Sequence, residues 1–342
     1  MNGATPSELL RVDSLRKHFR VSKPHGLGSS TLRAVDGVSF ALGKGETLGL
    51  VGESGCGKST LGRTIVGLHE ASGGRVFLNG RDISGTSRRA RSFERREMQI
   101  VFQDPYASLD PRMSVHEIIA EPLRINGMYS RERVTKMLTA VGLQEGAATR
   151  KPAEFSGGQR QRIAIARALA LDPELVILDE AVSALDVSIQ AQIINLLKAL
   201  QRASGVAYLF IAHDLSVVRY ISDRVAVMYL GRIVESGTRD EVFGSPQHPY
   251  TQALLSAVPR PDPARRRAST RIVLKGELPD PLAPPSGCGF RTRCPKAQEM
   301  CSRVEPTMRQ VGLGHYVACH FPLDVGENAF AENTQASTSA EA

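Results

Sequence analysis

Lys58 and Ser59 stand near the end of the stretch Gly52-Glu53-Ser54-Gly55-Cys56-Gly57-Lys58-Ser59-Thr60, in which glycine holds the first and sixth places. That is the G-x-x-x-x-G-K-[ST] spacing of a phosphate cradle. Glycine lets successive backbone N–H groups turn inward with no Cβ in the way, and a following helix adds its positive N-terminal dipole. Lysine at position 58 then reaches the β- and γ-phosphates, and the Ser59 hydroxyl suits Mg²⁺. The bland alternative is a glycine turn before a helix, with a solvated lysine. The apolar run Thr47-Leu48-Gly49-Leu50-Val51 just upstream reads as a buried strand and argues against it. The chemistry on offer is binding of a nucleoside triphosphate.

Three further features carry chemistry. Asp179 and Glu180 follow the apolar run Leu175-Val176-Ile177-Leu178. A carboxylate at a strand end can hold Mg²⁺, and its neighbour can polarise an attacking water. Either acid alone reads as a solvated or helix-capping carboxylate, but the pair beside a cradle reads as catalytic. Ser156-Gly157-Gly158-Gln159 opens a helix and makes a second anion-binding terminus, one that suits a nucleotide held by another subunit. His213 ends the apolar run 206–211; alone it suits a core histidine, but here it shares a sheet edge with Asp179.

The elements that must position these residues alternate. Short strand pieces at 9–19, 34–35 and 38–40 lead into the cradle, with 21–31 read as a loop rich in Gly, Ser, Pro and Lys. Arg75-Val76-Phe77-Leu78 before Asn79-Gly80 marks a hairpin. Val134, Met137, Leu138 and Val141 recur at helical spacing, so the middle of the chain is helical. From 160 onward, helices alternate with near-unbroken apolar strands, the pattern of a parallel sheet covered on both faces. A hairpin at 225–234 closes this core. The prolines up to Pro285 and Arg265-Arg266-Arg267 read as a linker, and the polar tail 324–342 as disordered.

At 342 residues, 42% hydrophobic and 23% charged, the chain is a large globular protein rather than a disordered one. A net charge of +8 permits nucleic acid or an anionic membrane as neighbour without choosing between them. Arg88, Arg89, Arg91, Arg95 and Arg96 read as a solvated helix face or as an anion-binding patch. No apolar run approaches the roughly 20 residues of a spanning helix, and charges within 1–15 break any signal sequence. The expectation is a cytosolic protein that meets a membrane only through partners.

The ordered set of cradle, Gln103, S-G-G-Q, L-V-I-L-D-E, Ser183-Ala184-Leu185-Asp186 and His213 resembles the ATP-binding subunits of ABC transporters over residues 10–245. That resemblance implies an α/β fold with a P-loop core of mostly parallel sheet, an antiparallel β subdomain and a helical subdomain. It also implies a head-to-tail dimer with ATP between the cradle of one subunit and the S-G-G-Q of the other. Carried over, Phe19 stacks on adenine, the cradle from Gly52 to Thr60 holds phosphate, and Ser59, Gln103 and Asp179 serve Mg²⁺. Glu180 is the base, His213 clamps the γ-phosphate, Gln103 senses the lytic water, and Asp186 acts across the dimer. Phe155 and Phe19 depart from the commoner Leu and Tyr but keep the apolar or stacking role.

Phe102-Gln103-Asp104-Pro105-Tyr106-Ala107-Ser108-Leu109, Glu121-Pro122-Leu123, 181–188 and His248-Pro249-Tyr250-Thr251-Gln252-Ala253-Leu254-Leu255 are similar to the oligopeptide and dipeptide importer branch. The implied partners are two membrane-spanning permease subunits, a second ABC ATPase (a paralogue), and indirectly an external solute-binding protein. The implied place is the cytoplasmic face of the inner membrane. Nickel-importer ATPases share much of this pattern, and a non-transport ABC ATPase acting on nucleic acid is the rival class. Against the rival, the chain has one core, no coiled-coil insertion and no heptads, and no nucleic acid is expected as a partner. The division implied is 8–245 for the nucleotide-binding domain and 246–323 for a smaller C-terminal domain.

That C-terminal domain carries Cys288, Cys294, Cys301 and Cys319, spaced C-x5-C-x6-C-x17-C. The spacing fits structural zinc poorly. Four thiolates suit an iron–sulfur cluster, and the set resembles the one that carries [4Fe–4S] in some peptide-importer ATPases. Free buried thiols in a small domain are the other reading.

Overall fold

Every residue of β3 (Thr47–Val51), β7 (Leu175–Asp179) and β8 (Ala207–Ile211) is buried, which explains why their sequences show no polar alternation. The computed structural model describes residues 8–22, 28–84, 96–258, 272–274 and 276–323. In chain order, β1 (Glu8–Ser22) and β2 (Ser29–Gly43) precede β3, followed by α1 (Lys58–Ile65), β4 (Gly73–Leu78) and β5 (Arg81–Asp82). Then come β6 (Met98–Val101), α2 (Val115–Ile125), α3 (Arg131–Ala140) and α4 (Gly157–Leu169). Between β7 and β8 runs α5 (Val187–Ser204), and α6 (Leu215–Ile221), β9 (Arg224–Tyr229) and β10 (Arg232–Thr238) complete the core. The remainder holds α7 (Arg239–Gly244), α8 (Pro249–Ser256), α9 (Glu299–Arg303), β11 (Arg309–Gly312) and β12 (His315–Val317).

Strands β9, β3, β8, β7 and β6 run parallel in that order, so the cradle, His213 and Gln103 follow strand C-termini and Asp179 ends β7, all at one edge. A separate antiparallel sheet, ordered β2-β1-β4-β5, covers one face. Side chains sort by parity. Leu175 and Ile177 join the core shared with the antiparallel sheet, whereas Val176 and Leu178 join the core under α2 to α5. The strand reading of 9–19 proves short and that of 21–31 as a loop proves long. The β1–β2 ladder runs out to Ser22 opposite Ser29, because backbone pairing between exposed strands needs no apolar side chains. The hairpin at 79–80 is as expected, with both Asn79 and Gly80 at positive φ.

The C-terminal unit joins the core sheet directly. Strand β12 pairs with β10 through Glu235–Val317 and Ser236–Tyr316, and β11 extends that edge. Arg88, Arg89, Arg91 and Arg95, the arginines at 265–267 and the tail 324–342 lie outside the described residues. Among the described residues no helix is long and apolar enough to cross a membrane.

Candidate active site

The cradle is built by close approach. A Cβ on Gly52 would lie 2.2 Å from the Met228 carbonyl oxygen, and one on Gly57 would lie 2.0 Å from that of Ala34. Both positions also have positive φ, so only glycine keeps the loop. Lys58 is buried at the N-terminus of α1. Its Nζ donates to the carbonyls of Gly52 at 2.8 Å and Glu53 at 3.1 Å, which folds the ammonium over the loop. Cys56 is buried beneath; burial pushes its thiol up from the usual range.

A cavity of about 1300 Å³ opens over this loop, and its walls include Phe19, residues 54–60, Gln103 and Glu180. Phe19 is held edge-on by His69 with ring centroids 5.5 Å apart, and Lys17 lies over its ring. The cavity wall continues past the core into the C-terminal unit, through Pro284 to Phe290.

Asp179 is 1% exposed. Its Oδ2 faces Arg63 of α1 at 3.4 Å, and Oδ1 is buried with no hydrogen-bond partner among the described residues. An orphaned carboxylate oxygen is costly, and a cation beside it would relieve the cost. The residues present therefore fit Mg²⁺. Glu180 sits at φ 51°, a left-handed conformation uncommon outside glycine, and its N–H donates to the Ile211 carbonyl at 2.9 Å. Gln103 Nε2 donates to Glu180 Oε2 at 2.8 Å, and His213 Nδ1 stands 4.0 Å from the same oxygen.

Ser156 and Gln159 are turned to their own helix. The Ser156 hydroxyl accepts from the Gln159 N–H, and the Gln159 side chain accepts from the Ser156 N–H, a reciprocal cap on α4. Gly158 packs on α5, where a Cβ would meet Ile189 at 2.4 Å. Asp186 caps α5 by accepting from the Ile189 N–H at 2.9 Å, a bond that holds its carboxyl below the usual range. None of Ser156, Gly157, Gly158, Gln159 or Asp186 lines the cavity of its own chain.

The four C-terminal cysteines do converge. Cys288, Cys294, Cys301 and Cys319 line one small cavity of about 10 Å³ together with His248 and His320. Burial pushes the thiols of Cys288 and Cys294 up, and that of Cys319 up to about 11. Among the described residues no three of His, Cys, Asp and Glu are arranged to hold a metal ion. The iron–sulfur expectation gains no support from this geometry.

Two residues of the site escaped the sequence reading. Arg63 pairs with Asp179, 116 residues away, and Arg293 pairs with Glu53, 240 residues away. Neither pairing leaves a local pattern that could have revealed it.

Comparison with known proteins agrees with this geometry. A family model described as ABC transporter matches residues 35–183, and one described as the C-terminal region of oligopeptide/dipeptide transporters matches 234–301. The chain is 52% identical over 331 residues to the oligopeptide transport ATP-binding protein AppF of Bacillus subtilis, covering 94% of this chain and 99% of that one. It is 51% identical over 324 residues to the dipeptide transport ATP-binding protein DppF of Escherichia coli, covering 94% and 96%. Among solved structures, the ATP-binding cassette MJ0796 dimer bound to ADP and Pi has TM-score 0.60 and 28% identity, over 68% of this chain and 99% of that one. Clostridium perfringens cbiO1, part of the transporter complex cbiONQ, also has TM-score 0.60, at 30% identity, over 70% of this chain and 92% of that one.

Proposed function

This chain belongs to the ABC transporter family, in its oligopeptide/dipeptide branch, and on that premise we propose that it is the ATPase that drives peptide uptake through a membrane permease. The observation that carries the proposal is the Gln103–Glu180 pair, which shares the cavity wall with the cradle and has His213 beside the same carboxylate. Lys58 and the amides of 52–60 hold the phosphates, with Phe19 against the base. Glu180 takes the proton of the attacking water, and Gln103 fixes that carboxylate by its hydrogen bond. General-base help of this kind contributes roughly 10²–10⁴-fold. His213 contacts the γ-phosphate. Ser59, Asp179 and Gln103 would hold Mg²⁺, which supplies neutralisation of charge developing on the phosphate oxygens.

Ser156, Gly157, Gly158, Gln159 and Asp186 serve a nucleotide on a second ATPase subunit. The capped N-terminus of α4, which opens on Ser156, supports this reading as a second anion-binding helix end in the chain. Residues 8–245 form the nucleotide-binding domain and 246–323 the C-terminal domain. The partners are two permease subunits and a paralogous ATPase, with a solute-binding protein across the membrane, and the chain sits on the inner membrane's cytoplasmic face. A [4Fe–4S] cluster on Cys288, Cys294, Cys301 and Cys319 stays outside the proposal, because among the described residues no three of His, Cys, Asp and Glu are arranged to hold a metal ion.

Uptake of a labelled tripeptide and of labelled Ni²⁺ in cells carrying wild type or Glu180→Gln tests it. The expected result is loss of peptide uptake alone. Loss of nickel uptake alone overturns the cargo, and loss of neither overturns the importer reading.

A further inference from the structure

Glu53 is tied at every polar group it has. Its carboxylate takes a two-pronged ion pair from Arg293, with Nη1 to Oε2 at 2.7 Å and Nη2 to Oε1 at 3.0 Å. Its N–H donates to the Tyr250 hydroxyl at 2.9 Å. Its carbonyl accepts from Lys58 Nζ at 3.1 Å. Arg293 and Tyr250 both lie in the chain beyond residue 245, so the C-terminal part grips the phosphate cradle from behind.

The grip is stiff. The Arg293 side chain is only 10% exposed, so its ion pair with Glu53 is shielded from water and salt. Tyr250 is fully buried, and its ring packs against Tyr229 at 4.6 Å and Phe290 at 5.4 Å. Phe290 and Arg293 lie on one short loop, where the Arg293 N–H donates to the Phe290 carbonyl. A rigid aromatic cluster thus anchors the guanidinium, and the guanidinium anchors Glu53.

We propose that Arg293 is a positioning residue for the ATP site, which sets nucleotide affinity by holding Glu53 and, through the Glu53 carbonyl, the Lys58 ammonium. The cradle is thereby completed by the C-terminal unit and not by the core alone. This rests on the reading that residues 52–60 hold ATP. Arginine is required because its planar fork matches both carboxylate oxygens, whereas lysine offers a single point charge.

The test uses the full chain and a fluorescent ATP analogue, with Lys58→Ala as reference, and thermal melting beside each titration. Loss of a half-buried charged hydrogen-bond pair predicts that Arg293→Ala weakens binding roughly tenfold and raises the KM for ATP similarly, with kcat changed much less. Arg293→Lys falls between Ala and wild type, and it carries the test if Arg293→Ala fails to fold. A lowered melting temperature with unchanged nucleotide affinity in both variants overturns the inference and leaves a structural ion pair. Absence of Lys58-dependent binding in the wild type overturns instead the cradle reading beneath it.

Discussion

The Gln103 side-chain amide donates to Glu180 Oε2 across 2.8 Å, and the two residues follow the C-termini of the neighbouring parallel strands β6 and β7. The pairing places a neutral donor against the carboxylate proposed above as the base. It restrains the carboxylate without neutralising it. Glu180→Gln keeps the shape and removes the basicity, so phosphate release should fall by at least about a hundredfold. Binding of a fluorescent ATP analogue should persist within a few-fold. Loss of binding together with hydrolysis would assign Glu180 to the architecture of the site.

The orphaned Oδ1 of Asp179 makes a separate prediction. Asp179→Asn should leave nucleotide binding in EDTA almost unchanged and lower the Mg²⁺-dependent rate by roughly a hundredfold. A titration of activity against Mg²⁺ should shift to higher concentration. An unchanged Mg²⁺ curve would remove Asp179 from the metal site.

Glycines at positive φ separate into two kinds. Gly57 has backbone 2.0 Å from a Cβ it lacks, whereas Gly205, at the end of α5, has nothing within 4 Å. Gly205→Ala should cost about 1 kcal/mol of stability and leave ATP binding alone. Gly57→Ala must displace the cradle and should abolish binding while costing about 3 kcal/mol. Denaturant midpoints with parallel nucleotide titrations distinguish the two.

His248 gives the chain a pH dependence. It is fully buried, and burial pushes its imidazole down to about 4. Its Nδ1 accepts from the Tyr250 N–H, while the buried Glu235 accepts from its backbone N–H and from His315. A folded value below the unfolded value of about 6.5 means the unfolded chain binds the extra proton first. Stability is therefore full above about pH 6.5 and falls as the pH drops towards 4, by up to about 3 kcal/mol. His248→Asn, which keeps the cap on α8, should flatten that slope in denaturant titrations between pH 7 and 5. An equal slope in both proteins would place the titration elsewhere.

The sequence by itself determined the cradle, the acidic pair Asp179–Glu180, the parallel core and the membership in a transporter ATPase branch. The first three rest on local spacing, with glycines where φ is positive, unbroken apolar runs where both faces are covered and acids where a strand ends, and the last rests on resemblance to a known family. Its loop at 21–31 came out too long because exposed strands pair through backbone, which apolar periodicity does not register. Tertiary structure alone decided which groups meet. The partners of Asp179 and Glu53 lie 116 and 240 residues away, and the C-terminal hairpin joins the core sheet at β10. It also decided the thiols, converging the four but raising three of them by burial. Such pairings depend on distance and dielectric in the folded chain, and neither is written in residue order.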